Sequence, residues 1–405
     1  MVLMSAAYKF SYRVNFVKPS PIRTLVSKIS AISATRKVVS FAAGEPDPNV
    51  IPRDLYSTIL GKVLHEEAKS CNYSPTEGLP SLRKSIADFM WRYEGVKTSE
   101  DNVLVTVGGS QAIDLLGKLF IDPGDHVILE NPSYVNTMVD WEFYGARLVG
   151  VGVDAEGVDT QNLEAVVKRL LSEGRRVKLV YTIPTGHNPA GVVMSEDRRK
   201  HLVEIASRYD LLVVEDAAYN HLVYEGSYKP LSHYDKEGRV VYVGSFSKVL
   251  GTGLRIGWLN ASSEIVEVVK AIKGPSDMCA PVPMQLLVDR VLREGLYDQI
   301  KRRAVEEYAR KRDTMMSALD EYVQGAVYNR PRGGMFILLK LPVDVDSEVF
   351  ADRLLEKYSV AVVPAKPFYL DDSGRSSIRL NFTMVKADEI EDGIKKLGLL
   401  IRELA

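Results

Sequence analysis

From about residue 100 the chain alternates short apolar runs with amphipathic stretches, and this alternation limits the possible folds more than any other feature. Residues 103–107, 126–130, 177–183, 211–215 and 240–244 are rich in Val, Leu and Ile and end in polar residues or glycine. That is the pattern of strands buried on both faces. Several are separated by stretches of helical period, such as 111–120 and 195–209, where Ser195 is placed to cap the first turn. Strand and helix alternating in this way specify an α/β fold with a mostly parallel sheet. Ligands bind such sheets at the carboxyl ends of the strands. The polar residues that directly follow each run are therefore the candidates for chemistry.

The pattern changes near Leu296. Ile300, Ala304, Val305, Tyr308, Met315, Met316, Leu319 and Tyr322 mark one face of a long helix. Expected after it are strand 335–339, helix 347–357, strands 360–363 and 377–382, and helix 387–401, a smaller α+β domain. The first fifty residues hold Pro19, Pro21, Pro46 and Pro48 and read as an arm, not a domain. The expected division is an arm over residues 1–53 packing on the small domain, a large α/β domain over 54–300 and the small domain over 301–405.

Composition excludes several classes. With 52 basic and 53 acidic residues the net charge is -1, which favours neither nucleic acid nor an anionic membrane as partner. The basic clusters 301–303 and 310–312 lie in the long helix and read as a solvated face. Two cysteines far apart make no disulfide framework, and six histidines show no metal-ligand spacing. No metal is expected. No run approaches the ~18 apolar residues of a membrane span, and no signal peptide is evident, so a soluble cytoplasmic protein is expected.

The richest segment is Gly244-Ser245-Phe246-Ser247-Lys248, followed by Gly251, Gly253, Arg255 and Gly257. Hydroxyls, an arginine and glycines that let backbone approach suit a phosphate. A lysine beside a phosphate suits a Schiff base with a carbonyl cofactor. The S-x-x-K pattern of penicillin-binding enzymes also fits, but S-D-N and K-T-G do not occur. The spacing G-x-G-x-x-x-G departs from a dinucleotide loop.

Other strand ends carry matching groups. Gly108-Gly109-Ser110-Gln111 opens a helix, where free N–H groups collect anions. Tyr134 could stack on a flat ring or pack in the core. Asn188 lies in a turn between prolines, beside His187, which reads as a loop residue. Asp216 ends so apolar a strand that it needs a cation, and a protonated pyridine nitrogen is one.

The motifs N-Y-S-P-T-E-G (72–78), G-G-S-Q (108–111), N-P-S-Y (131–134), N-P-A-G (188–191), E-D-A-A-Y (215–219), S-F-S-K (245–248), R-I-G-W (255–258) and S-I-R-L-N-F (377–382) occur in one order. Together they resemble class I/II, fold-type I pyridoxal-phosphate aminotransferases, most closely the branch of 2-aminoadipate (LysN-type), kynurenine and aromatic aminotransferases. The resemblance covers nearly the whole chain. It implies pyridoxal 5′-phosphate as cofactor, held by Lys248 as a Schiff base, with Asp216 at the pyridine nitrogen. It gives Asn188 and Tyr219 to the ring hydroxyl and Tyr134 to the ring face. Ser110, Gln111, Ser245, Ser247 and Arg255 would hold the phosphate, with Tyr73 reaching in from the neighbouring subunit of a homodimer. Arg379 would clamp the substrate α-carboxylate, Gly44 would line the same site, and Arg23 in the arm would reach the distal carboxylate of acidic substrates. The activity implied is ping-pong transfer of an amino group between glutamate, 2-aminoadipate, an aromatic or a branched-chain amino acid and a 2-oxo acid such as 2-oxoglutarate. Another reaction on the same scaffold, β-elimination or decarboxylation, and a regulator-type binding protein are the alternatives. The family often has an aromatic residue or glutamine where Thr185, Gly186 and His187 stand, which bears on substrate preference.

Overall fold

The computed structural model describes residues 9–17 and 21–405, with side chains in the second stretch described from residue 27 onward. The arm enters through the helix Pro21–Ser33 and the short strand β1 (Val39–Ser40). The main sheet is then built from β2 (Val103–Thr106), β3 (His126–Asn131), β4 (Arg147–Asp154), β5 (Gly157–Val158), β6 (Val177–Thr182), β7 (Leu212–Asp216), β8 (Val240–Ser245) and β9 (Gly257–Asn260). Their order in space is β2-β9-β8-β7-β6-β3-β4-β5. The central pairings are parallel, whereas β9 runs antiparallel to both β2 and β8.

The sheet is covered on both faces, which is why its strands are apolar almost throughout. Val127, Leu129, Leu179, Tyr181 and Val214 point into one core. The alternating residues Ile128, Val180 and Val213 point into the other. The helices Gly109–Phe120 and Glu196–Arg208 follow β2 and β6, as the alternation requires. Ser195 stands at the N-cap of the second, but its side chain makes no capping bond; Asp159 caps the preceding helix Thr160–Ser172 instead.

The remaining strands are β10 (Val327–Tyr328), β11 (Phe336–Lys340), β12 (Val360–Ala361), β13 (Val363–Pro364) and β14 (Ser377–Asn381). Four of them form an antiparallel sheet in the order β10-β11-β14-β13. The helices Leu296–Tyr322 and Ala387–Leu404 pack together beside it. The arm reaches this part of the molecule: β1 pairs with β12, and Lys28 lies 2.8 Å from Asp352. The long helix departs from the expectation of a solvated basic face. Lys311 and Arg312 are buried. Lys311 Nζ meets Asp47 Oδ2 at 2.5 Å and donates to the Thr383 carbonyl at 2.8 Å. Arg312 donates to the Pro331 carbonyl and pairs with Glu225 at 2.7 Å. Buried cations with such partners are tolerated where unpaired ones are not.

The loop that follows β6 meets the chain entering β11 along a seam of bare backbone. Gly186 (φ +64) and Gly334 (φ +81) face each other so closely that a Cβ on Gly186 would lie 2.5 Å from the Gly334 Cα. A Cβ on Gly191 would lie 2.2 Å from the Phe336 carbonyl oxygen. Only glycine combines these positive φ values with that approach.

Candidate active site

The segments after β2, β3, β6, β7 and β8 converge on one cleft of about 700 Å³, whose lining includes Tyr134, Asn188, Tyr219, Lys248, Gly44 and Arg379. Beneath it lies a cavity of about 170 Å³ that adds Ser245, Ser247, Asp216 and Arg255 and shares Ser110. The cavity is shaped by β9. Gly257 pairs with Thr106 on one side and Ser245 on the other. A Cβ there would lie 2.6 Å from the Gly108 carbonyl carbon, so only glycine lets β9 pass under the Gly108–Gly109 turn.

That close passage brings Arg255 over Gly108, where it donates to the carbonyls of Val107 at 3.0 Å and Thr252 at 3.2 Å. Arg255 takes φ 53, a backbone region that non-glycine residues rarely occupy. The start of the helix Gly109–Phe120, three serine hydroxyls and a guanidinium therefore surround one small cavity. Free N–H groups, the helix dipole and a cation all favour an anion there, and the chemistry fits a phosphate. Gln111 does not join them. Its Nε2 donates to Asp277 Oδ2 at 2.6 Å and its Oε1 accepts from the Val107 N–H, so the side chain braces the turn.

Lys248 Nζ donates to the Gly44 carbonyl at 2.9 Å and lies 5.8 Å from the centre of the Tyr219 ring. Burial pushes this amine down to about 8; Asp216 opposes the shift and Arg379 adds to it. Asp216 is buried at the end of β7, and burial raises its carboxyl above the usual range. Two donors restrain that rise: the Tyr181 hydroxyl at 2.7 Å on Oδ2 and the Ala218 N–H at 3.2 Å on Oδ1. Burial likewise pushes the Tyr219 hydroxyl up. Asn188 Nδ2 stands 3.5 Å from that hydroxyl, and the Asn188–Pro189 bond is cis.

Arg379, on β14, is 3% exposed. It donates to Asn188 Oδ1 and to the Ala42 carbonyl, each at 2.9 Å. Phe336 and Phe368 lie 4.3 and 5.1 Å from its guanidinium carbon. Its Nε–H is buried without an acceptor among the described residues. A buried guanidinium with a spare donor suits a carboxylate.

His187 is structural: Nδ1 accepts from the Ala190 N–H at 3.1 Å, and Nε2 lies 3.0 Å from the buried Glu130. Tyr73 is 80% exposed and lines neither cavity. The side chain of Arg23, and with it the expected reach to a distal carboxylate, lies outside the described residues. Sequence reasoning missed Glu130, Phe336 and Tyr181. Glu130 was open to the argument applied to Asp216, being an acid near the end of an apolar run. Tyr181 and Phe336 give no signal of their own, because aromatic residues in buried strands are ordinary.

The cleft can thus seat a flat ring against Tyr134, an anion beneath it, a base at Lys248 and a carboxylate at Arg379. Comparison with known proteins agrees with this chemistry. Residues 36–397 match the family model for class I and II aminotransferases. The aromatic-amino-acid aminotransferase 1 of Thermococcus litoralis is 36% identical over 397 residues, covering 97% of this chain and 94% of that protein. The crystal structure of an archaeal alanine:glyoxylate aminotransferase matches with a TM-score of 0.95 at 46% identity, over 97% of this chain and 98% of that one. LysN, the α-aminoadipate aminotransferase of Thermus thermophilus, complexed with N-(5′-phosphopyridoxyl)-L-leucine, matches with a TM-score of 0.89 at 33% identity, over 98% of this chain and 97% of that one.

Proposed function

The chain belongs to the class I and II aminotransferase family, and from that premise we propose how its residues divide the work. It is a pyridoxal 5′-phosphate-dependent transaminase that acts on amino acids and 2-oxo acids. The cofactor supplies an electron-poor ring that takes up the electron pair left when an α-proton departs. Ser110, Ser245, Ser247 and Arg255 would seat its phosphate, helped by the helix start at Gly109. Tyr134 would face the ring, Asn188 and Tyr219 its hydroxyl, and Asp216 its nitrogen. Gln111 contributes through the turn that its side chain braces. Lys248 Nζ would link the cofactor covalently and, as a free amine, take and return the α-proton. Its lowered pKa keeps a useful fraction of that amine neutral near pH 8. Arg379 would clamp the α-carboxylate beside Gly44. Two half-reactions sharing one cleft give ping-pong kinetics.

The observation that carries this reading is the half-buried Lys248 amine, set among Asp216 and Tyr219 at the end of β7 and Arg379 on β14. Borohydride treatment of the yellow holoenzyme should fix the cofactor on Lys248, and a label on any other lysine would overturn the assignment.

For substrates we favour glutamate with 2-oxoglutarate as one pair, and 2-aminoadipate, aromatic or branched-chain amino acids as the other, with Arg23 serving acidic side chains. A second reading, a small neutral donor with glyoxylate, is favoured by the activity named for the 46% identical structure. It also fits the outer cleft, where Lys248 and Arg379 are the only basic residues among those described, against Glu45, Asp114 and Asp140. A screen of amino donors against 2-oxoglutarate and glyoxylate separates the two.

We further propose a homodimer in which Tyr73, exposed here, serves the neighbour's phosphate. An active monomer in sedimentation would refute this. A cytoplasmic setting fits two free cysteines, and no described helix is long and apolar enough to cross a membrane. The division at residues 53 and 300 into arm, large domain and small domain belongs to the same reading. It is supported by the separate sheets, although the helix Leu296–Tyr322 runs through the second boundary.

A further inference from the structure

Asp216 forms no ion pair within 4.0 Å among the described residues, so its buried carboxylate depends on two neutral donors, the Tyr181 hydroxyl and the Ala218 N–H. The Ala218 N–H bond closes a local turn two residues long. The Tyr181 bond is different, because it crosses from one strand to the next.

In the parallel register of β6 and β7, Tyr181 lies beside Val214. Val214 and Asp216 are two residues apart and so share a face of the sheet. The phenol therefore runs diagonally past the end of β7 to Asp216 Oδ2. Tyr181 is fully buried. The Trp141 ring meets it edge-on at 5.5 Å and 78°. Trp141 is itself pinned by Nε1–H donating to the Ile113 carbonyl at 3.1 Å. The phenol ring is thus braced by the Trp141 indole, itself fixed to Ile113 in the cleft wall, and its hydroxyl donates to Asp216.

We propose that Tyr181 is a positioning residue for the amino-transfer reaction: its hydroxyl fixes the Asp216 carboxylate so that it faces the ring nitrogen of the cofactor. The proposal rests on the reading of Asp216 as the partner of that nitrogen. Two effects act together. A carboxylate on a single-bonded stem turns freely unless a second donor fixes its plane, and a direct bond to a protonated nitrogen needs that plane. Burial also favours the protonated acid, and a hydrogen bond to the charged form opposes it; of the influences that hold the Asp216 carboxyl down, the Tyr181 bond is the largest.

The test uses apo-proteins of the wild type, Tyr181→Phe, Asp216→Asn and the double variant. Each is titrated with pyridoxal 5′-phosphate and with its 1-deaza analogue, in which a C–H replaces the ring nitrogen. Tyr181→Phe keeps the ring and its contact with Trp141, so it should still melt cooperatively, lowered by no more than the one hydrogen bond it loses. It should weaken binding of the natural cofactor about tenfold and of the deaza analogue less than about twofold, the size expected for one hydrogen bond to a charged group. The double variant should bind no worse than Asp216→Asn alone. In the reconstituted enzyme kcat should fall about tenfold while the KM for the amino donor stays within about twofold. Equal weakening of both cofactors would make Tyr181 a packing residue and overturn the proposal. So would no weakening of either while Asp216→Asn still distinguishes them. If Asp216→Asn itself does not distinguish the two cofactors, the Asp216 assignment falls, and the role of Tyr181 falls with it.

Discussion

Replacing Arg379 by lysine keeps a positive charge on β14 and removes the planar fork. In the structure Nη1 serves Asn188 Oδ1 and Nη2 serves the Ala42 carbonyl, while Nε–H is buried with no acceptor among the described residues. The fork has more donors than those two acceptors use. A substrate carboxylate can therefore take Nε–H together with a remaining terminal N–H, in the bidentate manner of arginine. Burial lowers the guanidinium to about 10, which leaves it charged at neutral pH. A lysine ammonium offers a point charge and one well-directed bond, so about one charge-assisted hydrogen bond is lost. That bond is worth ~1.5–3 kcal/mol, or roughly 10- to 150-fold in kcat/KM. The assay compares kcat/KM for an amino acid donor with that for the amine lacking its carboxylate, in wild type and Arg379→Lys. The amino acid should lose the full factor, and the amine should change by less than about threefold. An equal loss for both would mean that Arg379 holds Asn188 and Ala42 in place and does not clamp substrate.

Three other outcomes are expected. Only the neutral Lys248 amine can attack the cofactor carbonyl, and burial has lowered its pKa to about 8; the rate of apo-enzyme reconstitution should therefore rise with pH with its midpoint near that value, and a midpoint near an ordinary lysine's would refute the burial argument. Asp216→Ala should fold at least as stably as the wild type, because it removes a buried acid, yet kcat should drop on the order of 10²- to 10³-fold; near-full activity would remove Asp216 from the site. Asp140 lines the outer cleft with its carboxyl raised to about 7, first by burial and then by Asp114. A raised acid is stabilising while protonated, and that stability is lost as pH climbs from its unfolded value through about 7. Asp140→Asn should therefore gain on the order of 1–3 kcal/mol of stability at pH 8 and almost none near pH 4, after allowing for its partial exposure; a gain independent of pH in thermal melts would be inconsistent with this.

The parallel strands were legible because burial on both faces leaves almost no polar residue inside them. Their ends were legible for the same reason: Asp216 and Ser245 stand out against Val and Leu. What stayed hidden depends on contacts distant in sequence. β9 returns from β8 with no α-helix between them, outside the strand-helix alternation, and its place between β2 and β8 follows from the lack of a side chain at Gly257. Lys311 looks like any helix-surface lysine until Asp47 and Thr383 close over it. Gln111 sits in the expected motif, but Asp277, far along the chain, draws its side chain away from the cavity. Tyr181 is one apolar-looking position among six in β6, and only strand register shows what its hydroxyl meets.

Where Gly186 crosses Gly334, main chain rests on main chain with no side-chain layer between. Such a contact leaves no soft layer to shear, so neither segment can slide along the other without collision. Asn188 sits two residues from this point, and Gly191 presses on Phe336 just beyond it. The 2.9 Å bond between Asn188 and Arg379 is therefore anchored beside a backbone crossing and not on a compressible layer of side chains. A carboxylate seat held in this way is rigid by construction, and the room for the rest of the substrate is set by the side chains of the outer cleft.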